Sequence, residues 1–115
     1  MKILLFTFAV SGAILALIAL PLIDRRIKPN LWYGFRVRAT LEDEALWYAV
    51  NVHGGQRLLM AGLVTLIAAI GLYFIPNLSL DMYAVLMAVI SIGTLSIGFA
   101  QTFRYLDRLK RDKQA

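Results

Sequence analysis

Residues 58–103 read LLMAGLVTLIAAIGLYFIPNLSLDMYAVLMAVISIGTLSIGFAQTF, and this stretch decides the fold. It holds two charge-free runs, Leu58–Ile75 of 18 residues and Met82–Phe103 of 22, separated by Pro76-Asn77-Leu78-Ser79-Leu80-Asp81. At about 1.5 Å per helical residue, each run is near the roughly 30 Å needed to cross the hydrocarbon core of a bilayer. Neither shows the polar stripe that a helix at the edge of a soluble core requires. Six connecting residues make the pair an antiparallel hairpin.

Working outward, Ile3–Ile23 is a third charge-free run, 21 residues long. Lys2 followed by an apolar run resembles a signal peptide. The run is longer than the usual apolar region of such a peptide, and Leu20-Pro21-Leu22 is no small-residue cleavage site. A retained helix is therefore expected. Composition agrees: a 115-residue chain that is 60% hydrophobic cannot cover that much apolar surface as a soluble protein. The expected fold is an all-α integral membrane protein forming a single membrane domain over 1–115, with spans at about 3–23, 58–75 and 82–103. A polar segment, 24–57, separates the first two spans, and a basic tail, 104–115, follows the third.

Charge orients these elements. Eleven of the twelve Lys and Arg residues lie in the polar segment or the tail, and only Lys2 lies at the opposite end. The positive-inside rule places residues 24–57 and the C-terminus in the cytoplasm, and the N-terminus and the Pro76 turn outside. A net charge of +5 without a nucleic-acid-binding motif suits anionic headgroups, and no nucleic-acid partner is expected. With no cysteine, disulfides and thiolate metal sites are excluded.

No ionisable side chain interrupts the three runs. Buried ionisable groups mark proton relays and ion pathways, so their absence argues against a proton-coupled transporter or a charge-lined channel. Small residues recur four apart at Gly12/Ala16, Ala61/Thr65/Ala69 and Thr94/Gly98. This spacing lets helices approach closely; packing within one chain is expected ahead of a homo-oligomer interface.

Specific chemistry is left to residues 24–57. Lys28-Pro29-Asn30 should end the first helix near Arg25 or Arg26, because proline disfavours helical geometry in the residue before it. Trp32 and Tyr33 suit an interfacial aromatic belt. Gly34 suits a turn or a close backbone approach. Thr40-Leu41-Glu42-Asp43-Glu44 reads as a helix start, with Thr40 as cap and Asp43 in the capping-box position. A short amphipathic helix should run to Val52 and break at Gly54-Gly55, with Trp47, Val50 and Asn51 on one side. Asn51 is expected to bond to backbone. His53, with no second His or Cys, lacks a metal-ligand set and, with no nucleophile beside it, a catalytic role; a surface or capping position is expected. Glu42, Asp43 and Glu44 are expected to pair with Arg36, Arg38 or Arg57.

The run Pro29-Asn30, Tyr33-Gly34-Phe35-Arg36, Thr40-Leu41, Trp47, Asn51 and Gly54-Gly55 resembles the signature of the SdpI family of small bacterial integral membrane proteins. The resemblance implies a multi-pass protein of the bacterial inner membrane. Its best-known relative gives immunity to a secreted peptide toxin and also signals by sequestering a transcriptional repressor at the membrane. That relative has about twice as many spans, so this chain corresponds to the part around the motif. Carried over by position, the motif residues are Pro29, Asn30, Gly34, Arg36, Thr40, Trp47, Asn51 and Gly54. Asn30 would tie the turn, Arg36 would bond to helix-end carbonyls or a headgroup, and Trp47 would seat the helix against the bundle.

A non-enzymatic immunity protein is the expected function, with membrane lipids, a peptide toxin or a cytoplasmic regulator as partners. The alternative is a small structural or regulatory subunit that docks a soluble protein through residues 24–57. An enzyme finds no paired acid/base constellation, phosphate loop or metal set to support it, and no cofactor is implied.

Overall fold

The computed structural model describes residues 1–114, which form α1 (Lys2–Ile23), α2 (Arg38–Glu42), α3 (Glu44–Tyr73) and α4 (Leu80–Gln114), with no strand among them. Helices α1, α3 and α4 are each long and apolar enough to cross a membrane. Large apolar side chains such as Ile3, Phe6, Ile67, Val89 and Ile92 are more than 60% exposed along them. Hydrocarbon solvates such a surface, and the helical backbone satisfies its own polar groups.

Helix α3 is central, packing against α1 on one side and α4 on the other. Its crossing with α1 depends on missing side chains. A Cβ on Gly12 would lie 2.6 Å from the Gly62 carbonyl oxygen, and one on Gly62 would lie 2.6 Å from the Gly12 carbonyl oxygen and 2.8 Å from the Ala16 nitrogen. The Gly12/Ala16 pair is thus the seat for Gly62. On the other side of α3, Ala61, Thr65 and Ala69 are buried. Thr65 Oγ1 lies 3.5 Å from Ser91 Oγ, and the Tyr83 hydroxyl donates to the Ala69 carbonyl at 2.8 Å. The small-residue spacings serve packing within the chain, as expected.

The ends of the elements differ from the expectation in two respects, the cap of α3 and its continuation past Gly54-Gly55. Helix α1 stops at Ile23, where Arg25 turns the chain with a positive φ of 60°. Asp43, not Thr40, caps the next long helix, its carboxylate accepting from the Leu46 amide at 3.2 Å. That helix then runs through Gly54-Gly55 without a break. The expected amphipathic helix is therefore no separate element; it is the first third of α3, and the only short helix among the described residues is α2.

The physical reason is packing at the end where the first connection lies. Thirty residues of α3 span about 45 Å, roughly 15 Å more than the hydrocarbon core. Helix α4, at 35 residues, also overshoots on the same end. The two extensions bury one another's apolar faces in a cluster of Phe35, Leu46, Val50 and Leu106, flanked by Leu58 and Leu109. A break at Gly54-Gly55 would separate α3 from that cluster.

Candidate functional site

Residues 24–43 fold back onto the start of α3 and build a compact knot from the motif residues. Asn30 organises its first turn. Its side-chain oxygen accepts from the Trp32 and Tyr33 amides, both at 2.7 Å, and its side-chain nitrogen donates to the Lys28 carbonyl at 2.7 Å. An Asn side chain replaces backbone partners in this way where no regular structure supplies them. The Tyr33 hydroxyl then donates to the Ile18 carbonyl of α1, fastening the turn to the bundle. Partial burial raises the Tyr33 pKa above its ordinary value.

Asn51 is the centre of the knot. It is 2% exposed, accepts from the Phe35 amide at 2.6 Å and donates to the Trp47 carbonyl one helical turn earlier at 2.9 Å. Gly34 makes the approach feasible: its φ is +103°, and a Cβ there would sit 2.5 Å from the Asn51 oxygen. Trp47 is fully buried, and its indole nitrogen donates to the Ile27 carbonyl at 2.8 Å. Thr40, also fully buried, lies within α2. Its hydroxyl accepts from the Val37 amide at 3.1 Å and reaches the Phe35 and Val37 carbonyls at 2.8 and 2.9 Å. Apart from those to the Ile18 and Trp47 carbonyls, which lie inside helices, these bonds satisfy backbone groups that would otherwise be unpaired in the loop.

Phe35 links the knot to α4. Its ring meets Phe99 and Phe103 edge-on, at centroid distances of 5.7 and 6.2 Å. Gly54 leaves the space for that ring, since a Cβ there would lie 2.0 Å from Phe35 Cε2. Gly55 does the same for the end of α1, where a Cβ would meet Leu22 and Ile23 at 3.0 Å. A glycine pair that reads as a helix breaker is here a pair of contact points within a continuous helix. The sequence pattern did not mark Phe35 as an anchor; its only signal was an aromatic residue between two motif positions.

The structure thus brings Asn30, Gly34, Thr40, Trp47, Asn51 and Gly54 into one cluster. Pro29 and Arg36 stand at its margin, Pro29 half-buried beside Asn30 and Arg36 exposed. Arg36 donates to the Leu31 carbonyl, a loop acceptor where a helix end was expected. Of the expected acid–base pairings, Glu42 forms one with Arg38 at 2.9 Å. Asp24 and Arg26 form a further, exposed pair at 3.8 Å. His53 is not a free surface residue: its ring stacks on Tyr105 at 4.4 Å, and its Nδ1 lies 3.5 Å from Thr102 Oγ1. No group of three or more His, Asp or Glu side chains able to hold a metal occurs among the described residues.

Beside the knot, α1 and α4 diverge and leave an apolar recess of about 390 Å³ lined by Leu15, Ile18, Leu22, Tyr33, Leu95 and Phe99. Trp32, 88% exposed, stands at its rim. The recess has the apolar lining and scale of a ligand-binding cleft, and no charged side chain lines it.

Compared with known proteins, residues 26–100 match the model of the SdpI/YfhL protein family. No curated protein and no solved structure matches the chain.

Proposed function

The chain belongs to the SdpI/YfhL protein family, and on that premise we propose that it is a non-enzymatic immunity protein that protects a bacterial inner membrane against a membrane-active peptide toxin. The observation that carries this reading is that the matched window, 26–100, contains every motif residue of the knot together with all of α3 and most of α4. The recess between α1 and α4 supports it. A peptide that acts on membranes presents apolar side chains, and an apolar recess with an exposed tryptophan at its rim complements them. In this reading residues 24–57 and the C-terminal tail face the cytoplasm, with the N-terminus and the 74–79 turn outside, as the distribution of basic residues favours. Signalling through a cytoplasmic regulator belongs to the same proposal, with the knot as the docking surface.

The test is survival of toxin-sensitive cells expressing the chain, challenged with peptide toxins from the same or neighbouring bacteria. Protection is expected for the wild-type chain and loss of protection for Arg36→Ala at unchanged protein level. Arg36 is the control of choice because it is exposed and its removal leaves the buried bonds of the knot in place. Absence of protection at normal membrane levels, together with a stoichiometric soluble protein co-purifying through residues 24–57, would instead establish the docking-subunit alternative.

A further inference from the structure

At the α3–α4 junction, next to Gly54 and Leu58, stands an arginine that neither the motif nor the recess uses. Arg57 stands one residue before the charge-free part of α3. Its Cβ is 3.2 Å from where a Cβ on Gly98 would be, so the side chain leaves α3 directly over α4. Arg57 Nε is buried with no hydrogen-bond partner. A guanidinium nitrogen removed from water without an acceptor is costly, and a counter-charge on the same group offsets that cost. The Asp24–Arg26 and Arg38–Glu42 ion pairs of the described residues involve neither Arg57 nor Arg108. One turn before Arg57, the His53 ring stacks on Tyr105 and its Nδ1 lies 3.5 Å from Thr102 Oγ1, tying this part of α3 to α4.

From Arg57 an apolar furrow of about 150 Å³ runs along the α3–α4 junction towards the middle of the membrane, lined by Met60, Val64, Thr94, Ile97 and Gln101. Met60 and Ile97 are more than half exposed, so the furrow opens sideways to lipid. A buried guanidinium nitrogen without an acceptor at the mouth of an apolar furrow, at the level where a span begins, complements an amphiphile with an anionic head and a hydrocarbon tail.

We propose that Arg57 seats the headgroup of an anionic phospholipid whose acyl chain lies in the α3–α4 furrow, with Arg108 further along α4 adding longer-range attraction. Arg offers a planar fork that matches phosphate oxygens, and basic pockets between membrane helices hold anionic headgroups in this manner. The start of the Arg57 side chain passes close over Gly98, which leaves the room for it. The site is independent of the toxin reading, since it needs only that the chain lie in a membrane.

The test is native mass spectrometry of the full-length chain in detergent with equimolar phosphatidylglycerol and phosphatidylcholine. Wild-type protein is expected to retain phosphatidylglycerol preferentially. Arg57→Gln should lower that preference about fivefold, the contribution of one cation at a membrane surface. Arg108→Gln, at an exposed position where folding is not at stake, should lower it about twofold through screened attraction. Lys28→Gln, a basic residue outside the furrow, should leave it unchanged. Soluble glycerol phosphate should not displace the lipid, because it has no chain for the furrow. Unchanged preference in Arg57→Gln and Arg108→Gln would overturn the proposal. So would an equal loss in Lys28→Gln, which would mean diffuse charge, or displacement by glycerol phosphate, which would mean a phosphate site without a lipid.

Discussion

Gly54→Ala puts the logic of the knot to a quantitative test. In a helix interior, replacing glycine by alanine ordinarily stabilises by about 1 kcal/mol, because the glycine backbone loses more freedom on folding. Here the added Cβ would lie 2.0 Å from Phe35 Cε2 and 2.6 Å from Cδ2 and Cζ. Carbon atoms in contact sit about 3.5–4.0 Å apart, so the ring must shift by roughly 1.5 Å. It cannot do so freely. Phe99 and Phe103 hold its edges, and the Asn51 side chain holds its backbone amide. Overpacking of this kind costs about 1–3 kcal/mol, so the net expectation is a loss of about 1 kcal/mol despite the better helix former. Removing the ring should reverse the sign: in a Phe35→Ala background, Gly54→Ala should stabilise by about 1 kcal/mol, a coupling of about 2 kcal/mol between the two sites. The assay is reversible unfolding in mixed micelles, followed by far-ultraviolet circular dichroism for all four members of the cycle. Equal destabilisation by Gly54→Ala in both backgrounds would refute the claim that this glycine exists to admit Phe35.

Other expectations rest on separate contacts. Asn51→Ala leaves the Phe35 amide without its acceptor and should cost about 1–3 kcal/mol, with faster hydrogen exchange at that amide. The two tryptophans should differ in quenching: Trp32, left alone in Trp47→Phe, should be quenched readily by an aqueous or lipid-borne quencher, and buried Trp47, left alone in Trp32→Phe, should resist both. Gly12→Leu should force α1 away from α3 and lower the thermal midpoint by several degrees, whereas Gly71→Leu, where a Cβ meets nothing within 4 Å, should leave it nearly unchanged. Because the chain has no cysteine, single substitutions report orientation cleanly: Asn77→Cys should react with an impermeant thiol reagent from outside intact spheroplasts, and Lys28→Cys only after lysis.

Much of the architecture was legible because membrane crossing is a one-dimensional property. Length and absence of charge define a span without reference to any partner, so α1, α3 and α4 were evident from three apolar runs. Local polar chemistry was legible for a similar reason. Asn30 acts on residues two and three positions away, within reach of any reading of the chain. The buried, backbone-bonding role of Asn51 followed from a polar residue among apolar neighbours. Legibility failed wherever the partner lay far along the chain. Gly54-Gly55 carries the pattern of a helix end, and only Phe35, 19 residues earlier, and the end of α1 explain why the helix continues. Thr40 carries the pattern of a cap, yet its hydroxyl serves the loop behind it and leaves the start of α3 to Asp43.

The sequence by itself determined that this is a three-span membrane protein with a polar motif between its first two spans, and it identified the family. Only the tertiary structure decided that the motif closes into a single knot around Asn51, that the glycine pair is a contact surface, and that α1 and α4 part to leave a recess. It also decided that Arg57 passes over Gly98 at the head of a furrow between α3 and α4. Insertion into a bilayer depends on what each segment is, whereas these sites depend on which segments meet. Residues 35 and 99 become neighbours of 51 and 54 only after the loop and α4 have packed on α3.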